Sequence, residues 1–221
     1  MKANRIAAAV AAMMLVSAPA AMAASFGLPA ASAAPAASTG GDAVAMQEGL
    51  VKQYAESAGY INAAQAELAA AFGFKDRAAE LQAAATALQG GATLDKDAIK
   101  KNRELTDKAS AEIDAKIAEG ADLNDEGRKH YIASLTPFTK GVSSAAKLPA
   151  EANTFSDAAQ AQIKSASLTE KMSVTSKLSA GTYLAKEIPG FSKNTLDSFK
   201  KIVTYAQDKG IPVPKEATTL L

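Results

Sequence analysis

The side chains best suited to chemistry are few, and the spacing of their neighbours decides what each can do. His130 is the only histidine and there is no cysteine. A zinc centre draws on several His, Cys and carboxylate ligands together, so this chain is expected to hold no metal, and His130 reads as a surface residue. Asp122-Leu123-Asn124-Asp125-Glu126-Gly127 places side-chain oxygens at the first, third and fifth positions and glycine at the sixth, as a calcium loop does. The twelfth position, where an EF-hand needs a bidentate glutamate, is Ala133. An acid-rich helix start explains the same residues through capping and the macrodipole.

Ser144-x-x-Lys147 and Ser198-x-x-Lys201 match the S-x-x-K nucleophile pattern of penicillin-binding proteins, but the companion S-D-N and K-T-G elements are missing. Neither Gly40-Gly41 nor Gly90-Gly91 sits in a phosphate-loop context. The expectation is a non-catalytic protein without a cofactor, with a serine hydrolase acting through Ser144 or Ser198 as the weakest alternative.

The aromatic residues fall mostly on the apolar faces of expected helices, where ordinary core packing explains them. Part of that set could instead line a pocket between helices that holds an apolar ligand. The residues for such a pocket are Tyr54, Ile61, Phe72, Tyr131, Phe138, Met172, Tyr183 and Phe199.

Helices must position these side chains. Val51, Tyr54, Ala58, Ile61, Gln65, Leu68 and Phe72 alternate spacings of three and four, which predicts a long helix over residues 43–72, capped by Asp42 and stopped by Gly73. Gly49 and Gly59 lie inside it. Each costs about 1 kcal/mol relative to alanine unless another helix packs closely there. A short helix from near Asp76 ends at Gly90-Gly91. A third, capped by Thr93 or Asp95, carries Leu105, Ala109, Ile113 and Ile117 and ends at Gly120.

A fourth helix opens at Asp122 or Asn124. It turns Tyr131, Leu135, Phe138, Val142 and Ala145 inward, with a kink expected at Pro137 and a stop at Leu148-Pro149. Ser156 is placed to cap a fifth helical stretch, and the pattern over residues 156–188 fits one bent helix or two. Pro189-Gly190 reads as a firm break, after which Ser192 caps a last helix ending at Gly210. No segment alternates with the period of a strand. The predicted fold is therefore all-α: an up-and-down antiparallel bundle of about six helices spanning 42–210, followed by an extended tail at 211–221.

The start of the chain carries a separate message. Lys2 and Arg5 precede an apolar run from Ile6 to Val16, and Pro19 precedes Ala21-Met22-Ala23. That order is a secretory signal peptide over 1–23, cut after Ala23; the run is too short for a bilayer-spanning helix, which needs roughly 20 apolar residues. Residues 24–41 are Ala, Ser, Pro and Gly with almost no charge, a composition suited to a flexible leader. Without cysteine there is neither a lipid-anchored N-terminus nor a disulfide, so the expected product is a soluble periplasmic or secreted protein with no membrane span after cleavage.

The chain has 24 basic and 23 acidic residues, net +1. Losing Lys2 and Arg5 leaves 22 against 23, a balance that argues against nucleic acid as a partner. Two readings remain for a helical protein in the bacterial envelope. The first binds or carries an apolar small molecule such as a lipid. The second is an interaction or adaptor module that docks an Ala-rich helix face onto an envelope protein or onto a second copy of itself.

Overall fold

A computed structural model of the chain describes residues 42–221 apart from Thr93. The signal-peptide and leader segments and the Thr93 cap lie outside the described residues. Seven helices of 10 to 30 residues and a last four-residue helix make up an all-α bundle, and no strand occurs among the described residues. They are α1 (Ala43–Ala71), α2 (Lys75–Gln89), α3 (Lys96–Ala118), α4 (Asp125–Ala145), α5 (Leu148–Ser165), α6 (Leu168–Lys177), α7 (Ser179–Asp208) and α8 (Lys215–Thr218).

The first helix starts as its sequence dictates, with the Asp42 carboxylate accepting from the Val44 amide at 3.0 Å. It ends before Gly73, which turns the chain at φ +83°, a conformation open to glycine. Its stripe is wider than one face. Tyr54, Ala58, Ile61, Gln65 and Leu68 are buried, but so are Ser57, Asn62, Ala64, Ala66 and Ala69 on other sides. α1 is the central helix, touched by α2, α3, α4, α5 and α7. A helix buried all round loses the one-sided signature that periodicity reads.

Small residues let α4 approach α1 most closely. Gly127, Ser134 and Gly141 recur every seven residues on α4 and all are buried. A Cβ at Gly127 would lie 2.7 Å from the Ala71 carbonyl oxygen, and one at Gly141 would lie 2.7 Å from Ile61 Cγ1. The Ser57 hydroxyl donates to the Gly141 carbonyl at 3.0 Å across the same contact. On the other flank, α2 folds back so that Leu88 and Gln89 lie 3.4 and 3.2 Å from where a Gly59 Cβ would sit. Gly59 is thus a packing glycine, whereas a Cβ at Gly49 would meet nothing within 4 Å.

The predicted inward residues of α4, Tyr131, Leu135, Phe138, Val142 and Ala145, are all buried. In α3, Ala109 and Ile113 are buried as expected, but the stripe continues through Ile99, Asn102 and Thr106 rather than Leu105. Two of those three are polar, so a search for apolar spacing passes over them. They face Asn62 of α1, whose amide donates to Asn102 Oδ1 at 2.7 Å and whose Oδ1 accepts from the Thr106 hydroxyl at 2.9 Å. Paired in this way, the buried polar groups escape much of the desolvation cost they would carry alone.

Several expected boundaries move. Leu148-Pro149 begins α5 rather than only ending α4, because proline in the first helical turn gives up an amide that has no intrahelical partner anyway. Ser156 lies inside α5 and its hydroxyl donates back to the Ala152 carbonyl at 2.7 Å, so it caps nothing. The true start signal downstream is Ser167 with Glu170, a capping box that opens α6. Residues 156–188 are therefore parts of three helices, separated at Ala166-Ser167 and at Leu178.

Pro189-Gly190 does not break the chain, since α7 runs through it to Asp208. Both residues are exposed, while Leu184, Ile188, Phe191, Phe199 and Ile202 keep one stripe buried on either side. Tertiary burial of that stripe outweighs the local penalty. Ser192 is accordingly interior, with its hydroxyl donating to the Ala145 carbonyl at 2.8 Å. The tail is not simply extended either: Ile211 and Ala217 are buried in the core, and residues 215–218 form α8.

Candidate functional site

The eight residues singled out for a pocket do not converge on one cavity. Tyr131 and Phe72 pack edge to face at 6.1 Å, and both meet Tyr205, at 5.2 and 5.8 Å. Phe138 packs on Phe199 at 5.5 Å. Tyr54 packs on Phe191 at 5.2 Å. These rings fill space between helices, and aromatic pairs of this kind contribute about 0.5–1.5 kcal/mol beyond the area they bury. Ile61 lies against Gly141.

Ile61 and Phe138 do border a cleft with Gln65, Thr106 and Ser198, but its volume is about 20 Å³. That is room for about one water, not for a ligand of several hundred Å³. Tyr183 is half-buried beneath Lys96, whose ammonium lies 5.7 Å from the ring centre. Met172 is 84 % exposed on α6.

The residues weighed for other chemistry are placed just as clearly. Asn124 caps α4, its side chain accepting from the Gly127 amide at 2.7 Å, and Asp122 pairs with Lys209 at 2.6 Å. Gly127, which imitates the glycine of a calcium loop, is instead required by the Ala71 carbonyl. His130 Nδ1 lies 2.7 Å from Glu67 Oε2 on the half-exposed surface. Among the described residues, neither Ser144 nor Ser198 hydrogen-bonds a basic side chain through its hydroxyl, so the S-x-x-K spacing is not realised as a nucleophile–base pair.

A groove of about 720 Å³ does exist, and it lies where α2 stops. α2 covers α1 as far as Gly59, then Gly90 and Gly91 end it. The flank of α1 that precedes Gly59 is left without a neighbour of full size. Val51 and Ala55 of α1, Leu88 of α2, Leu94 of the following loop and Ala180 of α7 make an apolar floor. Tyr60 closes one end, with Lys140 5.7 Å from its ring centre. The opposite end is bounded by Gln47, which clasps the α6–α7 junction by donating to the Lys177 carbonyl at 2.9 Å and accepting from the Gly181 amide at 2.8 Å. Glu48, Lys52 and Glu56, each one turn apart, form a charged rim.

Val51 was legible as part of an apolar stripe, but Ala55 and Leu94 carry no distinctive signal alone. The available clue was the pairing of a helix-interior glycine at 59 with a glycine stop at 90–91, which marks where a covering helix ends. No protein-family model, curated protein or solved structure matches this chain. Among the described residues, no helix is long and apolar enough to cross a membrane, and no cluster of three or more metal-ligating side chains occurs.

Proposed function

We propose that this is a non-catalytic periplasmic binding protein that carries an apolar or amphipathic small molecule, such as a lipid, in the groove between α1, α2 and Ala180. The groove itself carries the reading: about 720 Å³ of space with an apolar floor falls within the 300–1,000 Å³ range of small-molecule sites. An acyl chain lying over Val51, Ala55, Leu88 and Leu94 removes apolar surface from water on both partners, at about 25 cal/mol per Å². The rim of Gln47, Glu48, Lys52 and Glu56 keeps a polar end of the ligand solvated and paired. Export rests on the signal-peptide pattern of residues 1–23. The alanines of α1 favour this reading over an adaptor face, because Ala58, Ala64, Ala66 and Ala69 are buried inside the molecule.

Native mass spectrometry of the purified protein mixed with a bacterial lipid extract tests the proposal. A defined lipid adduct is expected in the wild type. Val51→Glu places a carboxylate on the half-exposed groove floor and should weaken the adduct about tenfold or more, with the helical fold retained by circular dichroism. A wild type that stays ligand-free across the extract, or an adduct indifferent to Val51→Glu, would overturn it.

A further inference from the structure

Most long helices of this bundle are held by apolar side chains, and α3 is the exception. Of its 23 residues only Ile99, Asn102, Thr106, Ala109 and Ile113 are buried, and two of those five are polar. The three apolar ones are a smaller share than on any other helix longer than ten residues. The rest of its attachment is polar. Asn102 and Thr106 bond to Asn62 of α1, and the Gln65 amide donates to the Ser110 hydroxyl at 2.7 Å. Three ion pairs tie its flanks, Arg103 to Glu187 and Asp114 to Lys201 of α7, and Glu112 to Arg77 of α2.

That attachment is also incomplete. Gln65 Oε1, Asn102 Nδ2 and Asp114 Oδ1 are buried without a close hydrogen-bond partner, and all three lie in the seam between α3 and its neighbours. Hydrogen bonds and half-exposed ion pairs contribute little net free energy, because water offers the same groups equivalent partners. A buried polar atom without a partner favours the arrangement in which water reaches it. Apolar burial is what resists local opening, and α3 has little of it. A glycine with positive φ stands beyond each end of the helix, Gly91 at +80° and Gly120 at +65°, and a Cβ at either would meet nothing within 4 Å. Such positions are able to absorb the backbone rotation of a hinge.

The strip of α1 that runs under α3 continues the groove. At 100° per residue, Asn62, Ala66 and Ala69 lie within about 60° of Val51, on the face that forms the groove floor. Asn62 is bonded to α3, and Ala66 and Ala69 pack in a small core with Leu81 of α2 and Ala109 of α3. Leu94, just ahead of α3, belongs to the groove lining.

We propose that α3 is a lid. It opens as a unit about Gly91 and Gly120 while the rest of the bundle stays folded, and its opening lengthens the groove along α1. The use of that added length rests on the binding function proposed above; the motion of α3 does not.

Hydrogen–deuterium exchange of the full chain without added lipid tests it. The amides of α3 should exchange together and at least about tenfold faster than those of α1 and α4. Raising salt from about 0.05 to about 0.5 M screens the three ion pairs and should speed α3 exchange several-fold. Arg103→Gln with Lys201→Gln should act by a similar factor at low salt. In each case α1 and α4 should keep their rates, which separates lid opening from general destabilisation. Val51→Glu should leave α3 exchange as in the wild type, so losing the lipid adduct and losing the lid are distinct results. An α3 that exchanges as slowly as α4, exchange of all helices together, or α3 rates indifferent to both salt and the paired substitution would overturn the inference.

Discussion

Raising the pH from about 9 to about 12 should strip several kcal/mol from the stability of this protein, with tyrosine ionisation and loss of helix occurring together. Burial pushes the Tyr54 hydroxyl from its ordinary 10.0 up to about 12, only partly opposed by nearby Asn102 and Arg103. Burial also raises Tyr131, with Tyr205 adding to it, and raises Tyr205 to a lesser degree of enclosure. In the unfolded chain these phenols ionise near 10.0, while in the folded chain they stay protonated. Above that pH the unfolded state holds fewer protons, so stability falls as pH rises. It is fully present below about 10 and declines through 12 for Tyr54 and beyond that for Tyr131. Two pH units correspond to about 3 kcal/mol for Tyr54 alone.

The tyrosines can be told apart by substitution. Tyr54 makes no close hydrogen bond through its hydroxyl, only a longer approach to Asn102, so Tyr54→Phe should cost less at neutral pH than Tyr131→Phe and should move the alkaline midpoint upward. Tyr131 donates to the Ile202 carbonyl at 2.8 Å, so Tyr131→Phe should lose about 1 kcal/mol at neutral pH while also extending alkaline tolerance. Denaturant titrations at a series of pH values, with phenolate absorbance recorded alongside, give both readings. Stability that holds constant from pH 9 to 12 would count against the buried placement of these rings.

Gly141→Ala should destabilise the protein by about 1 kcal/mol net even though it replaces a helix-interior glycine with the best helix former. The propensity gain is about 1 kcal/mol. Against it, the new methyl would sit 2.7 Å from Ile61 Cγ1 and 3.2 Å from the Ile61 amide nitrogen. Ile61 is fully buried and has nowhere to go; overpacking of this kind typically costs 1–3 kcal/mol and occasionally more. Gly49→Ala is the matched control, since its new methyl meets nothing within 4 Å. It should stabilise by about 0.5–1 kcal/mol. Chemical denaturation of the two variants decides the matter: if both move stability the same way, the close α1–α4 contact is wrong.

The contrast between these two glycines shows where the sequence could be read and where it could not. Helix existence was legible because Tyr131, Leu135, Phe138, Val142 and Ala145 follow helical spacing, and starts such as Asp42, Asp95 and Asn124 carry side-chain caps. Which glycine packs and which is idle depends on what lies across the interface, and spacing along one chain does not contain that. The same limit applied at Pro189, where the rule for a single helix predicted a stop and a stripe buried from Leu184 to Ile202 carried the helix through. Phe155 was passed over because its segment read as a loop. It is a buried residue of α5, and its ring occupies the space beside Gly181 that a side chain there would need. Large aromatics marked the core, whereas the groove beside α1 lies where side chains are small. Ala55, Gly59 and Gly91 say more about its position than Phe138 or Phe199 does.

The central position of α1 has a consequence for the order of events during synthesis. Chains emerge N-terminus first, and α1 is the first of these helices to appear. Its neighbours α4, α5 and α7 arrive between roughly 50 and 150 residues later, and contacts over such distances must meet the loop-closure entropy before they return any burial. Until α7 is present, Tyr54 has no Phe191 to pack on, and much of the alanine surface of α1 faces water. The helix that organises the finished protein is the one that waits longest for it.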